Sequence, residues 1–167
     1  MDKNNDQLKI EDKAPVFTAE STKGKISLTD YKGKYLVLYF YPRDATTECT
    51  LQAQEFTKIY RNLQEMNTEV IGISRDNIRS HYNFCEKANI VFPLIADTTG
   101  ELCASYKVLQ GKVNSGKKYI GIVRSTFVVS KDQIIHKSWY NIKAFGHAIK
   151  VLDAVEDLKK KDKITKR

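Results

Sequence analysis

Hydrophobic side chains are grouped along the chain into short apolar runs and into longer segments where they recur every three or four residues. Runs rich in β-branched and aromatic residues are typical of buried strands, and a 3.6-residue period is typical of helices with one apolar face. The pattern therefore predicts strands and helices that largely alternate. The strands are predicted at 35–41, 68–74, 92–97, 120–130 and 133–142, and the helices at 48–65, 77–89 and 146–160.

This order of elements predicts an α/β domain. Strands that alternate with helices are joined by crossovers and lie parallel in one sheet. The short polar segment 130–133 predicts a hairpin turn, which makes 133–142 a partner of the preceding strand. Strand-like pieces around Lys23 and Gly24, within 14–34, predict an N-terminal β-hairpin. We expect a central mixed sheet flanked by helices.

Length and charge limit the classes of protein to consider. A chain of 167 residues with 41% hydrophobic content suits one domain, so we expect 1–167 to form a single domain with 159–167 as a basic, fraying tail. The net charge is +8, but most of it lies in that tail. No basic recognition pattern accompanies it, which disfavours nucleic-acid binding. No signal peptide or membrane-spanning run is visible, so we expect a cytoplasmic protein without a membrane association.

The cysteines of the chain, Cys49, Cys85 and Cys103, are widely spaced and form no CxxC motif. This spacing argues against a secreted disulfide framework and against a zinc site of paired cysteines. The histidines also lack the spacing of metal ligands, so we expect packing or surface positions for His81, His136 and His147. In a reducing compartment, a cysteine is more often free or reactive than structural.

Cys49 stands in "YFYPRDATTECTLQAQEF", between a predicted strand and a predicted helix. Pro42 ends the strand, and Thr46 or Thr47 is a suitable N-cap residue. Cys49 then falls in the first helical turn, where unpaired N–H groups and the positive end of the helix dipole favour a thiolate. The spacing leaves two interpretations open. Cys49 is either a reactive thiol or a small buried residue, and the carboxylate of Glu48 argues against activation.

Pro42, Thr46 and Cys49 also match the PxxxTxxC signature of the peroxiredoxins, thioredoxin-fold enzymes that reduce hydroperoxides. Segments spread over 8–158 resemble the bacterioferritin comigratory protein, or peroxiredoxin Q, subfamily. They are "APVFTAES", "DYKGKYLVLYFYPRD", "CTLQAQEF", "GISRD", "FPLIAD", "KKYIGIVRSTFVVS" and "GHAIKVLDAV". The resemblance implies a thioredoxin-like fold and a thiol-dependent peroxidase of antioxidant defence that needs no metal or organic cofactor.

The same resemblance implies the roles of individual residues. Cys49 would be the peroxidatic nucleophile, which peroxide oxidises to a sulfenic acid, and Thr46 would hydrogen-bond the peroxide and the thiolate. Pro42 would shield the pocket from water. Arg124, in "RSTF", would hold Cys49 as a thiolate and orient the peroxide, because its guanidinium stays charged. The alternative for Arg124 is a surface position at a strand end.

The second, resolving cysteine is where the chain departs from the family's commonest pattern. Many relatives have it five residues after the first, where this chain has Gln54. Some members of the subfamily place it in the following helix, which would make Cys85 the resolving residue. The alternative is that Cys85 only packs on the inner helix face. Cys103 matches no resolving position and is expected to be a buried structural cysteine.

The implied partners are a hydroperoxide substrate and thioredoxin or a similar dithiol reductant, and we expect a monomer. Two other classes of function remain open from the sequence. A dithiol–disulfide oxidoreductase of the same fold needs two close cysteines at the helix start, and Cys49 stands there alone. A non-enzymatic interaction domain would have lost the chemistry, yet the four residues of the signature are intact: Pro42, Thr46, Cys49 and Arg124.

Overall fold

The computed structural model describes residues 6–165. A short 3₁₀ helix, Leu28–Tyr31, follows the N-terminal hairpin. The strands are β1 (Thr18–Ser21), β2 (Gly24–Ser27), β3 (Tyr35–Phe40), β4 (Thr68–Ser74), β5 (Leu94–Ala96), β6 (Leu109–Asn114), β7 (Lys117–Ile122), β8 (Ser125–Val129) and β9 (Ile135–Trp139). The helices are α1 (Thr47–Glu65), α2 (Ile78–Ala88), α3 (Glu101–Ser105) and α4 (His147–Thr165).

A seven-stranded mixed sheet forms the centre, with the strand order β2-β1-β5-β4-β3-β8-β9. The strands β3, β4 and β5 are parallel, whereas β1, β2, β8 and β9 pair antiparallel to their neighbours. The parallel order follows from the crossover helices α1 and α2 between these strands. The predicted α/β class, the mixed sheet and the N-terminal hairpin are therefore confirmed.

Both faces of the sheet are covered by hydrophobic side chains. Because successive side chains of a strand point to opposite faces, Val37 and Tyr39 of β3 pack towards α1, where they meet Phe56. Leu36 and Leu38 face the opposite cluster, which includes residues of α3 and β8. All of β3 is buried as a result. This explains why the sequence of β3 is continuously apolar instead of alternating.

The segment 120–130, predicted as one strand, forms parts of two elements. Its first residues end β7, which pairs with β6 in a separate two-stranded hairpin, and its later residues form β8. The sequence analysis missed this hairpin because its strands are polar and largely exposed. Its turn residues, Ser115 and Gly116, have φ values of 52° and 79°, as the tight turns of two-residue hairpins require.

The C-terminal helix also differs from the prediction. The apolar period ends near residue 158, but α4 continues through Thr165, so most of the predicted fraying tail is helical. Residues 166–167 lie outside the described part of the chain. Within residues 6–165, no helix combines the length and the apolarity that crossing a membrane requires.

Gly72 in β4 lies where the core leaves no room for a side chain. A Cβ atom there would lie 2.7 Å from Leu94 Cδ2 and 2.9 Å from Tyr39 Oη. Overpacking a core costs about 1–3 kcal/mol, so Gly72→Ala should lower the free energy of unfolding by that amount in urea denaturation. Gly111→Ala is the control, since a Cβ there meets nothing within 4 Å. Equal stability of the two variants would contradict this packing.

Candidate active site

Cys49 lies in the first turn of α1, the helix that follows β3 along the chain. Thr46 is the N-cap residue, and its Oγ1 accepts a hydrogen bond from the Cys49 backbone N–H at 3.3 Å. The same hydroxyl donates to the carbonyl of Arg43, also at 3.3 Å. Of the two threonines that the sequence offered as caps, the structure selects Thr46. Cys49 therefore lies at the positive end of a 19-residue helix, as predicted.

Arg124 reaches the Cys49 sulfur from the residue directly before β8, the strand that pairs antiparallel with β3. Its Nη2 lies 3.4 Å from Cys49 Sγ, and its Nη1 donates a hydrogen bond of 2.5 Å to Gln52 Oε1. Gln52 is one helical turn after Cys49 and is almost completely buried. The guanidinium is thus fixed between a sulfur and an amide oxygen. A charged group in this position favours the anionic form of the thiol.

The Cys49 side chain is only 2% exposed, whereas Pro42 and Thr46 beside it are exposed. Pro42 directly follows the buried Tyr41 and begins the loop that leads to Thr46. The sulfur is therefore shielded from bulk water, and this shielding strengthens the interaction of a thiolate with Arg124.

Two further basic side chains lie in the electrostatic environment of Arg124. Burial and the charge of Arg124 lower the pKa of Lys112, and Cys49 acts in the opposite direction. Lys112 Nζ donates to the carbonyl of Ile122 at 2.6 Å. Burial, then Lys150 and Arg124, lower the pKa of His147 to about 4, so its imidazole is neutral at pH 7. Arg124 is the cation in direct contact with the Cys49 sulfur.

Cys85 and Cys103 differ in their surroundings, and all three cysteines are free thiols. Cys85, on α2, is half-buried against the same hydrophobic cluster as Cys49, and burial is the main cause that raises its pKa. Both Cys49 and Cys85 contribute to the raised pKa of the buried Tyr39, after burial itself. Cys103 is completely buried, and burial followed by Asp97 raises its pKa.

A buried hydrogen-bond network lies behind the loop that carries Thr46. Asp44 Oδ2 is 2.7 Å from His81 Nδ1, and His81 Nε2 is 2.8 Å from the carbonyl of Ile95. Asp44, Asp76 and His81 also bring ligand atoms within 4.8 Å of one another, as a metal site would. Their hydrogen bonds account for this closeness without an ion. The sequence analysis expected a packing or surface position for His81, and the structure buries it.

Comparison with known proteins identifies the family of this fold and site. Residues 10–138 match the family described as the AhpC/TSA family. The chain belongs to this family. Peroxiredoxin Bcp of Bacillus subtilis is 37% identical over 155 residues, which cover 92% of this chain and 99% of that protein. Like its peroxiredoxin relatives, the chain is a thiol-dependent peroxidase.

Solved structures agree with this assignment. The structure of a PrxQ mutant from Xylella fastidiosa has a TM-score of 0.86 and 32% identity, covering 90% of this chain and 97% of that one. A structure of the Xanthomonas campestris bacterioferritin comigratory protein, which addresses its alkyl peroxide reduction activity, has a TM-score of 0.82 and 33% identity. It covers 86% of this chain and 92% of that one. The predicted thioredoxin-like fold and subfamily are confirmed.

The structure brings several residues to the surroundings of Cys49 for which the sequence analysis predicted no role there. Gln52 follows Cys49 at a spacing of three residues on a predicted helix, so the sequence could have placed both side chains on the same helix face. Lys112 belongs to the hairpin that the analysis missed. Asp44 and His81 meet only through the packing of α2 beside the end of β3, and no sequence spacing indicates that contact.

We expect Gln52 to support the reaction with peroxide through its hydrogen bond to Arg124. A hydrogen bond to a charged group contributes about 1.5–3 kcal/mol, so Gln52→Leu should slow the reaction with peroxide by about tenfold or more. Gln52→Glu keeps an acceptor oxygen and should lose less. Stopped-flow rates with hydrogen peroxide measure the effect, with Gln54→Leu, an exposed position on the same helix, as the control. Equal rates for both leucine variants would exclude the positioning role.

Proposed function

We propose that Cys49 is the peroxidatic cysteine of this thiol-dependent peroxidase, and that Thr46, Pro42 and Arg124 complete its peroxide site. The observation that carries the proposal is the 3.4 Å contact between Arg124 Nη2 and Cys49 Sγ. Arginine stays protonated at physiological pH, so its charge favours the thiolate throughout that range. The thiolate is the form of cysteine that attacks a peroxide.

The reaction is a displacement at oxygen. The Cys49 thiolate attacks one oxygen of the hydroperoxide, an S–O bond forms and the O–O bond breaks. The other oxygen leaves with the electron pair and takes a proton, which yields water from hydrogen peroxide or an alcohol from an organic hydroperoxide. Cys49 becomes a sulfenic acid, so the sulfur is oxidised and the peroxide is reduced.

The surrounding groups stabilise the charge that moves to the leaving oxygen. Arg124 and the N–H groups at the start of α1 are donors fixed before the reaction, and fixed donors at a developing charge lower the barrier. The hydrogen bonds of Thr46 Oγ1 are long, at 3.3 Å, so its hydroxyl loses little by turning to a bound peroxide. Pro42 limits the access of water to the peroxide site.

The sulfenic acid is then resolved by Cys85. In that step the Cys85 sulfur attacks the sulfenic sulfur, a disulfide forms and water leaves. Cys85 is buried in part, and its raised pKa keeps it a thiol in the reduced fold. A disulfide needs Cα atoms within about 7 Å. Cys49 and Cys85 lie on different helices, and in the proposed cycle one or both helix segments open locally to bring the sulfurs together. Opening also removes the burial that suppresses the Cys85 thiolate.

The wider setting of the enzyme follows from the chain's chemistry and relatives. Its substrates are hydrogen peroxide and organic hydroperoxides, as the alkyl peroxide activity of the X. campestris protein supports. Thioredoxin or a similar dithiol reduces the disulfide by thiol–disulfide exchange. We propose a single domain over residues 1–167, a monomer that acts in the cytoplasm in antioxidant defence, without nucleic-acid or membrane partners.

The cycle can be tested with thioredoxin, thioredoxin reductase and NADPH. Peptide mapping after one equivalent of peroxide should show a Cys49–Cys85 cross-link. Cys85→Ser should lose thioredoxin-dependent turnover while it still reacts once with peroxide, because the first step needs only Cys49. Cys103→Ala is the control and should turn over as the wild type does. Unchanged turnover in Cys85→Ser would indicate a mechanism with one cysteine.

A further inference from the structure

The loop before α1 is tied to α2 through the carboxylate of Asp44. Asp44 lies between Pro42 and Thr46 and is only 9% exposed. Its Oδ1 accepts a hydrogen bond from Tyr41 Oη at 2.7 Å. Its Oδ2 accepts one from Ser80 Oγ at 2.8 Å and lies 2.7 Å from His81 Nδ1. The carboxylate therefore joins the end of β3 to the first turns of α2.

His81 uses both of its ring nitrogens. The ring is completely buried, and Nε2 must donate to the carbonyl of Ile95 in β5, because a carbonyl only accepts. Nδ1 lies 2.7 Å from Oδ2 of Asp44, so the two side chains form a buried hydrogen-bonded pair.

The backbone of the loop is held by the end of β4 and the connection from β4 to α2. The Asp44 backbone N–H donates to Asp76 Oδ2 at 2.9 Å, and Ser74 Oγ donates to the same oxygen at 2.6 Å. Ser74 ends β4, and Asp76 lies in the connection from β4 to α2. Side chain and backbone of Asp44 are therefore both fixed by the β4–α2–β5 region.

This pair lies between the segments that carry the two redox cysteines of the proposed cycle. Asp44 precedes the N-cap of α1 by two residues, and that cap holds the backbone of Cys49. His81 precedes Cys85 by four residues, or one turn of α2. Any opening that separates α2 from the Thr46 loop must break this buried contact, and a buried polar group that loses its partner is costly.

We propose that the Asp44–His81 contact clamps the reduced fold and sets the rate at which Cys85 reaches the Cys49 sulfenic acid. This proposal rests on the resolving role of Cys85. Asp44 and His81 are positioning residues, which do not touch the peroxide. The clamped fold keeps Thr46 and Arg124 at Cys49 for the first step, and opening of the clamp permits the second. Its strength therefore decides how long the sulfenic acid persists.

A persistent sulfenic acid is also open to further oxidation. Another peroxide molecule oxidises Cys49–SOH to the sulfinic acid and is itself reduced to water or an alcohol, in competition with disulfide formation. A tight clamp therefore makes the enzyme more sensitive to inactivation by excess peroxide. A loosened clamp should speed disulfide formation and protect Cys49 from overoxidation. General damage to the fold would instead slow both the first reaction with peroxide and disulfide formation.

The test uses Ser80→Ala, which removes one donor to Asp44 and leaves the contact with His81, beside His81→Gln, which removes the imidazole. Quenched-flow mass spectrometry follows the Cys49 sulfenic acid and the Cys49–Cys85 disulfide after one equivalent of hydrogen peroxide. Loss of one hydrogen bond to Asp44 should speed disulfide formation by about two- to tenfold in Ser80→Ala. The peroxide concentration that half-inactivates the enzyme should rise, and amide exchange in reduced α2 should quicken.

Asn83→Ala, an exposed change on the same helix, is the matched control and should behave as the wild type. If His81→Gln does not fold, Ser80→Ala decides alone. Disulfide formation that is unchanged or slower in Ser80→Ala, with normal cross-linking in the wild type, would overturn the clamp. If instead Cys85→Ser turns over normally with thioredoxin, the resolving role itself fails, so the two failures are told apart.

Discussion

Cys49→Ser should reduce hydroperoxides no faster than a solution without enzyme. A serine hydroxyl is not ionised at pH 7, so neither Arg124 nor the start of α1 has a thiolate to stabilise. The substitution is nearly isosteric at a buried position and should leave the fold intact. NADPH oxidation in the coupled thioredoxin assay measures the loss, and thermal unfolding verifies that the variant is folded.

Cys103→Ala is the matched control for that variant. Cys103 is completely buried beside Asp97, on the opposite face of the sheet from Cys49. Its replacement should lower stability through the lost packing and leave the peroxide rate in the wild-type range. Residual turnover in Cys49→Ser that Cys103→Ala removes would move the nucleophile to Cys103 and contradict the account.

Arg124→Met should slow the reaction with peroxide by about 10²-fold or more, the usual effect of removing one fixed donor at a developing charge. The methionine keeps the bulk of the side chain but loses the contacts to Cys49 Sγ and Gln52 Oε1. It should also slow the alkylation of Cys49 by iodoacetamide below pH 7, because less of the thiol is then ionised. Arg124→Lys should lie between, since an ammonium cannot bond both partners in the fork geometry of arginine.

Arg43→Met is the control for the charge effect. Arg43 is exposed in the loop before Thr46, and its backbone carbonyl, which the substitution retains, accepts the hydrogen bond from Thr46. We expect this variant to react with peroxide and iodoacetamide nearly as the wild type does. Equal slowing by Arg43→Met and Arg124→Met would mean that general surface charge, and not the contact to Cys49, supports the thiolate.

Local sequence signals were sufficient for the parts of the molecule that adjacent residues determine. The continuous apolar run of β3, the proline after it and the threonine N-cap together place Cys49 at the start of α1, and the structure agrees. The polar hairpin of β6 and β7 gave no such signal, because its stability comes from strand pairing and a Ser115–Gly116 turn instead of an apolar face.

Contacts between distant segments were outside the reach of the sequence pattern. The approach of Arg124 to Cys49 was implied by the resemblance to peroxiredoxins, not by spacing, because it depends on the antiparallel pairing of β3 with β8. The contact of Asp44 with His81 had no sequence signal at all. A single histidine in a helix is usually packed or exposed, and only the assembled fold shows the carboxylate that it meets.

The most direct test of the central claim is to trap the sulfenic acid. Reduced Cys85→Ser protein is treated with one equivalent of hydrogen peroxide in the presence of dimedone, and the adduct is mapped by peptide mass spectrometry. This variant removes the proposed resolving thiol, so the sulfenic acid should persist long enough to react. The account predicts the dimedone adduct on Cys49. Labelling mainly at Cys103, or peroxide consumption without any label at Cys49, would contradict it.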